Sequence, residues 1–372
     1  MEDGDLIVGQ RSVRKGRGAL SNRDCRYQPT RVEWDDGILG PSPVTECRAV
    51  TARRIISSNR SPDVPFTRSI NPYQGCEHGC IYCYARPTHA YLDLSPGIDF
   101  ETRLTRKDNA ATQLERELAR PSYQCEPITL GANTDPYQPV EKRYRITRQL
   151  LEVLQRCRHP VSLITKGALI ARDIDILREM AADGLCSVAI SITTLDPELK
   201  RRMEPRAASA AARLTAMEQL SQAGIPVSVL FAPVIPALND GDLEAVLESA
   251  RQAGARRAAY ILLRLPLETR DLFFEWLQQH FPLRARRVAS LLRQSRGGED
   301  YDGRFGHRMR GTGPFADLIA GRFRVRCRQL GLNQGEAETL RSDLFRPPPR
   351  VGSERADDRQ YALFGDPASG MR

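Results

Sequence analysis

Six short runs, at residues 66–71, 127–132, 161–165, 187–193, 227–232 and 258–265, have the length and bounding turn residues of strands, and most are almost continuously apolar. Between them lie stretches with apolar side chains at helical spacing. They run through Ala111, Leu114 and Leu118 behind Asn109 as N-cap, then through Ile146, Leu150, Leu154 and Cys157. The next are Ile174, Leu177 and Met180, then Leu214, Met217 and Leu220, then Leu243, Val246, Leu247 and Ala250, closed by Gly184, Gly224 and Gly254. Alternation of this kind predicts an α/β fold with a parallel sheet. The apolar strands predict a sheet covered on both faces, and each crossover should be right-handed. Periodicity leaves two closures open, a partial barrel or a doubly wound open sheet.

The first run leads into Asn71-Pro-Tyr-Gln-Gly-Cys-Glu-His-Gly-Cys-Ile-Tyr-Cys-Tyr-Ala85, where Cys76, Cys80 and Cys83 are spaced C-x3-C-x2-C. Three thiolates are one short of the usual ligand set of a [4Fe–4S] cluster. An iron without a protein ligand is open to a small molecule, as a catalytic zinc is open to water. A structural zinc held by the same cysteines and His78 is the alternative, but zinc sites draw on two separated knuckles and no second one is visible. The nine cysteines are an odd number, and Cys25, Cys47, Cys125, Cys157, Cys186 and Cys327 are scattered. With no apolar leader, this pattern predicts reduced thiols and a cytoplasmic protein. No apolar run reaches the roughly 18 residues of a membrane span.

The chain has 372 residues and a net charge of +9, carried mostly by arginine. That suits an anionic partner, nucleic acid or a phosphorylated small molecule, and equally a solvated basic surface. Residues 1–62 lack periodicity and are expected to form an extended basic arm, with turns around Trp34 and at Pro41 and Pro43. Residues 63–266 form the core, 267–345 a helical C-terminal extension capping the barrel mouth, and 346–372 a Pro-rich tail. The Gly- and Arg-rich segment 296–313 is the part of the extension expected to touch substrate.

The cysteine spacing, with Tyr82 between the last two ligands, resembles the cluster loop of radical S-adenosylmethionine (SAM) enzymes. The resemblance implies a (β/α)6 partial barrel with the loop after the first strand. It also implies a [4Fe–4S] cluster on Cys76, Cys80 and Cys83, whose fourth iron is chelated by SAM. Reductive cleavage of SAM to a 5′-deoxyadenosyl radical follows, fed by an external electron donor of the flavodoxin or ferredoxin type. Carried over position by position, Tyr82 contacts adenine and Tyr84 does related work. The loop Asn133, Thr134 and Asp135 reaches the methionine amino group, Lys166 meets the carboxylate, and Ser191 and Thr193 face the barrel interior, with Ser191 toward the ribose. Residues 80–85, 131–135, 165–166 and 191 are most similar to the spore photoproduct lyase and DNA-repair-photolyase-like branch. The segments at 15–19 and 308–314 look like an uncharacterised bacterial subgroup of it. That branch carries a hydrogen-donating cysteine after the second strand. Asn133 stands there in this chain, so dimer reversal by that route is not expected. The expected activity is hydrogen abstraction from an unidentified substrate, with nucleic acid a candidate. The rival class is a non-catalytic metal-binding module that holds nucleic acid.

Overall fold

The structure, a computed structural model, describes residues 13–27, 44–335 and 339–349. The expected turns at Trp34, Pro41 and Pro43, and the tail beyond residue 349, lie outside the described residues.

The strands are β1 (Glu46–Val50), β2 (Ile56–Ser58), β3 (Arg68–Ile70), β4 (Tyr73–Gln74), β5 (Arg103–Lys107), β6 (Ile128–Leu130), β7 (Val161–Thr165), β8 (Cys186–Ser191), β9 (Val227–Val234) and β10 (Arg257–Leu262). The six expected strands are β3 and β6 to β10. They pair in the order β3-β6-β7-β8-β9-β10, every pair parallel, with β2 added antiparallel to the outer edge of β3. A doubly wound sheet reverses strand order at a switch point. This order never reverses, so the sheet winds in one direction as a partial barrel. Ile70, Leu130, Leu163, Ile190 and Val229 are wholly or almost wholly buried, one from each of the first five core strands.

The helices are α1 (Asp99–Thr102), α2 (Ala110–Leu118), α3 (Glu141–Tyr144), α4 (Ile146–Arg156), α5 (Ile174–Ala182), α6 (Pro197–Met203), α7 (Ala210–Gln222), α8 (Leu243–Gln252), α9 (Glu268–His280), α10 (Pro282–Gln294) and α11 (Pro314–Leu330). α2 packs on α4, α4 on α5, α7 on α8, and α11 on α8, which makes one helical layer. α4 buries Ile146, Leu150, Leu151 and Leu154, the face its sequence period marks. α7 is capped by Ser209, whose Oγ accepts from the Ala212 amide at 3.1 Å. Asn109 stands at the N-cap of α2, but its side chain makes no capping bond. Its amide side chain instead grips Ala52, accepting from the backbone N–H at 2.8 Å and donating to the carbonyl at 2.9 Å.

Two expectations need correction. The N-terminal segment is not an arm lying off the core where it is described. Arg17, Ala19, Leu20 and Ser21 are buried, β1 joins β5 and β4 in a small second sheet, and β2 extends the main one. The charge of Arg17 and Arg14-Lys15 suggested solvent, but Arg17 turns inward and donates to the Glu101 carbonyl at 2.9 Å. The C-terminal helices also do not all cap the mouth. α11 extends the helical layer beside α8, and α9 packs beneath the cysteine loop, where Trp276, Phe273 and Leu272 cluster with Ile81 and Tyr82. Residues 308 and 309 do reach the mouth.

Candidate active site

The loop after β3 folds back over the carboxyl ends of the strands, the rim where parallel sheets place their sites. Cys76, Cys80 and Cys83 line one cavity of about 440 Å3 there. The loop is fixed by short backbone bonds, from Cys76 N–H to the Phe100 carbonyl at 2.9 Å and from Ile81 N–H to the Met203 carbonyl at 3.1 Å. Arg86, fully buried, donates Nε to the Cys80 carbonyl at 3.0 Å and pairs with fully buried Glu101 at 2.5 Å. Burial pushes all three thiols up, Cys80 to about 12 with Glu204 adding to the rise. Burial thus favours the protonated thiols over the thiolates.

The expected contact residues divide into two groups. Tyr82, Tyr84, Asn133, Thr134, Asp135, Lys166 and Ser191 all line the cavity with the cysteines, whereas Thr193 is absent from its wall. β8 ends at Ser191, so strand alternation does not carry Thr193 to the interior. The Thr193 hydroxyl donates to Glu204 at 2.9 Å instead. Asp135 faces the cavity with its acceptors already occupied. Oδ1 takes the Tyr137 amide at 2.9 Å and the Thr165 hydroxyl at 2.6 Å, while Oδ2 takes the Lys166 amide at 2.7 Å and lies 3.3 Å from His78 Nδ1. Burial opposes its ionisation, but His78 and these donors hold it at about 2. It positions β6 and β7 ends relative to the loop. The Thr134 hydroxyl likewise donates to the Tyr73 carbonyl at 2.9 Å, and the Asn133 amide to Asn71 at 3.0 Å. Lys166 Nζ lies 5.8 Å above the Tyr82 ring and, among the described residues, has no hydrogen-bonding or ion-pair partner. Gly131, at φ +96°, lets the loop pass where a Cβ would fall 2.1 Å from the Ile164 carbonyl oxygen.

Sequence profiles and structures of other proteins align with this geometry. The radical SAM superfamily profile matches residues 70–250, which span the cysteine loop and the sheet through α8. The chain belongs to the radical SAM superfamily. An uncharacterized protein of Mycobacterium tuberculosis is 40% identical over 233 residues, 62% of this chain and 68% of that one. An uncharacterized protein of Methanocaldococcus jannaschii is 25% identical over 63% of this chain and 83% of its own. Spore photoproduct lyase complexed with dinucleoside spore photoproduct superposes with a TM-score of 0.54 at 15% identity, over 77% of this chain and 80% of the lyase. That likeness bears on the fold, and it agrees with the partial barrel.

As a radical SAM enzyme, the chain supports its cysteine loop with residues that sequence reading passes over. Glu204, fully buried, accepts from the Tyr82 hydroxyl and pairs with buried Arg213, whose Nη1 donates to the Ser191 carbonyl at 2.7 Å. Burial alone would raise the Glu204 carboxyl, and Arg213, then Lys166 and Tyr82, lower it to about 2. On the opposite side, Glu101 accepts from the Gly18 and Ala19 amides at 2.9 and 2.8 Å. None of these acids sits in a local motif. Partners such as Gly18 and Ala19 for Glu101 and Tyr82 for Glu204 lie 82 or more residues away. The cavity wall also includes Arg264 and, from the Gly- and Arg-rich segment, Arg308 and Met309. No described helix is long and apolar enough to cross a membrane.

Proposed function

We propose that Cys76, Cys80 and Cys83 hold a [4Fe–4S] cluster and that SAM binds beside it in the cavity, for hydrogen abstraction from a substrate. The observation that carries this reading is the three thiols opening onto one cavity together with Lys166 and Ser191. The donor set fits. Sulfur donors suit iron, and three of them leave one cluster iron for a small chelating ligand. Among the described residues, no three His, Cys, Asp or Glu side chains converge as a single ion requires, and His78 faces Asp135. That weighs against the zinc arrangement, since cluster thiolates bind at separate corners. When bound, the cluster supplies the electron that cleaves SAM to methionine and a 5′-deoxyadenosyl radical. Lys166 presents an unpaired ammonium to the SAM carboxylate, Tyr82 a ring edge-fixed by Glu204 to adenine, and Ser191 a hydroxyl to the ribose. The reducing electron comes from a flavodoxin- or ferredoxin-type donor.

Spore photoproduct lyase is known with a dinucleoside photoproduct bound. Here Asn133 lies on the cavity wall after β6, and a carboxamide is not a hydrogen-atom donor. A different fate for the substrate radical follows. After anaerobic reconstitution, SAM with dithionite should give 5′-deoxyadenosine, and Cys80→Ala should lose the cluster's visible absorbance and the product together. A fully loaded cluster that yields no 5′-deoxyadenosine rules the proposal out.

A further inference from the structure

Two cationic side chains line the cavity, Lys166 and Arg264. Lys166 acts electrostatically on Cys80, Cys83 and Glu204, which places it close to the cysteines. Arg264 stands on the wall beside Tyr84. It follows β10 on the strand-end rim and its guanidinium lies 5.1 Å over the Tyr84 ring, itself fixed by a bond from the Tyr84 hydroxyl to the Ala132 carbonyl. Among the described residues, its Nε is buried without a partner, and the Nη1 contact is with the Met309 thioether, at 3.5 Å. A thioether is a weak acceptor, and a guanidinium normally takes a carboxylate or phosphate across its planar fork.

The nearby acids do not neutralise it. Asp63 accepts from the Gly306 amide at 2.7 Å and is paired with Arg308. Asp302 is paired with Arg304 at 2.8 Å. Arg296, mostly buried behind Arg264, donates only to backbone carbonyls, those of residues 262, 263, 307 and 308. Burial and the neighbouring Arg264 pull Arg296 down to about 10. Among the described residues, two guanidinium charges without a carboxylate partner therefore stand by one wall of the cavity.

We propose that Arg264 is the subsite for an oxyanion on the substrate, a carboxylate or a phosphoryl group, bound by its guanidinium on the cavity wall beside Tyr84 and Met309. The proposal rests on the radical SAM reading only in naming the occupant as substrate. The site itself stands on a guanidinium that, among the described residues, has no acid partner. Tyr84 supports the guanidinium from one face by cation–π contact, and Met309 closes the side by which Nη1 would otherwise turn away.

The test is equilibrium binding by calorimetry at low ionic strength, on the SAM-loaded holoenzyme. The probes are phenyl phosphate, benzoate and neutral benzyl alcohol. At least one anion should saturate and the alcohol should not. The tighter anion identifies the phosphoryl or carboxylate class. Arg264→Gln should weaken the anion by about tenfold or more, because a charge-assisted pair is lost, with SAM binding unchanged. Arg264→Lys should fall between. Failure of both anions to saturate, equal binding by Arg264→Gln, or loss of SAM instead of the anion each overturns the proposal. If Arg264→Gln does not fold, phenylglyoxal labelling of wild-type holoenzyme decides. Either anion must slow modification of Arg264, read by peptide mass spectrometry, and absence of protection overturns the subsite. Failure of SAM cleavage with anion binding intact would instead count against the proposed function alone.

Discussion

Glu204 shows how one carboxylate holds a loop that it does not belong to. It joins Tyr82, Thr193 and Arg213, so it ties the residue between two cysteines to β8 and α7. Removing one member of a buried pair leaves the other charge uncompensated, which costs about 3–5 kcal/mol. Glu204→Gln keeps the shape and should lose about 3 kcal/mol at pH 7 in chemical denaturation. The pH dependence has a fixed sign. The Glu204 carboxyl is depressed in the folded state to about 2, against about 4.3 for an ordinary glutamate. Its contribution is complete above the unfolded value and is lost as pH falls toward the folded one. The gap between wild type and Glu204→Gln should therefore narrow between about pH 4 and pH 2. A gap independent of pH would show that charge is not the reason for the pairing. The cysteines were legible at this scale because their spacing is local. Glu204, Glu101 and Arg264 were not, because their meaning comes from partners or vacancies set by distant chain.

At the scale of elements, the six core strands were readable because each is a compact apolar run whose burial does not depend on its neighbour's identity. β1, β2, β4 and β5 were not. They are two to five residues long, are only partly buried, and exist through pairing across the chain, as Cys47 with Leu104 or Ile56 with Ile70. The Lys15-Gly-Arg-Gly-Ala stretch, expected within an extended basic arm, folds as a strap across the cysteine loop. Gly18 is its critical residue. A Cβ there would fall 1.8 Å from the Gly79 carbonyl oxygen, between Cys76 and Cys80 in sequence. Gly16, at φ +75°, has open space around it. Gly18→Ala must displace strap or loop, and should cost about 1–3 kcal/mol as an overpacked contact does. Gly16→Ala should cost about 1 kcal/mol from backbone conformation alone. Thermal unfolding and iron content after reconstitution measure the difference. Equal effects from the two substitutions would remove the strap's claim on the loop.

For the whole molecule, the partial barrel leaves an open edge at β10. Its backbone groups are templates for pairing with another chain. The C-terminal extension covers them. Asn333 accepts from the Ala258 amide at 2.9 Å and donates to its carbonyl at 3.0 Å, the Leu262 amide reaches the Met309 carbonyl at 2.8 Å, and α11 packs beside α8. A chain ending before Pro314 should self-associate with rising concentration in size-exclusion chromatography while the full chain does not. A truncated chain that stays monomeric would show that α11 and Asn333 are dispensable for the edge.

Local pattern was enough for the alternating core and for its first-strand cysteine loop, since period and spacing are properties of neighbouring residues. The winding of the sheet into a partial barrel rather than a two-way sheet came from strand order, which no periodicity encodes. The inward turn of Arg17, the saturation of Asp135, the withdrawal of Thr193 from the cavity and the unpaired fork of Arg264 are likewise products of folding. Each depends on whether an oppositely charged or hydrogen-bonding group from elsewhere in the chain arrives within about 3 Å, and that is settled by packing, not by sequence neighbours.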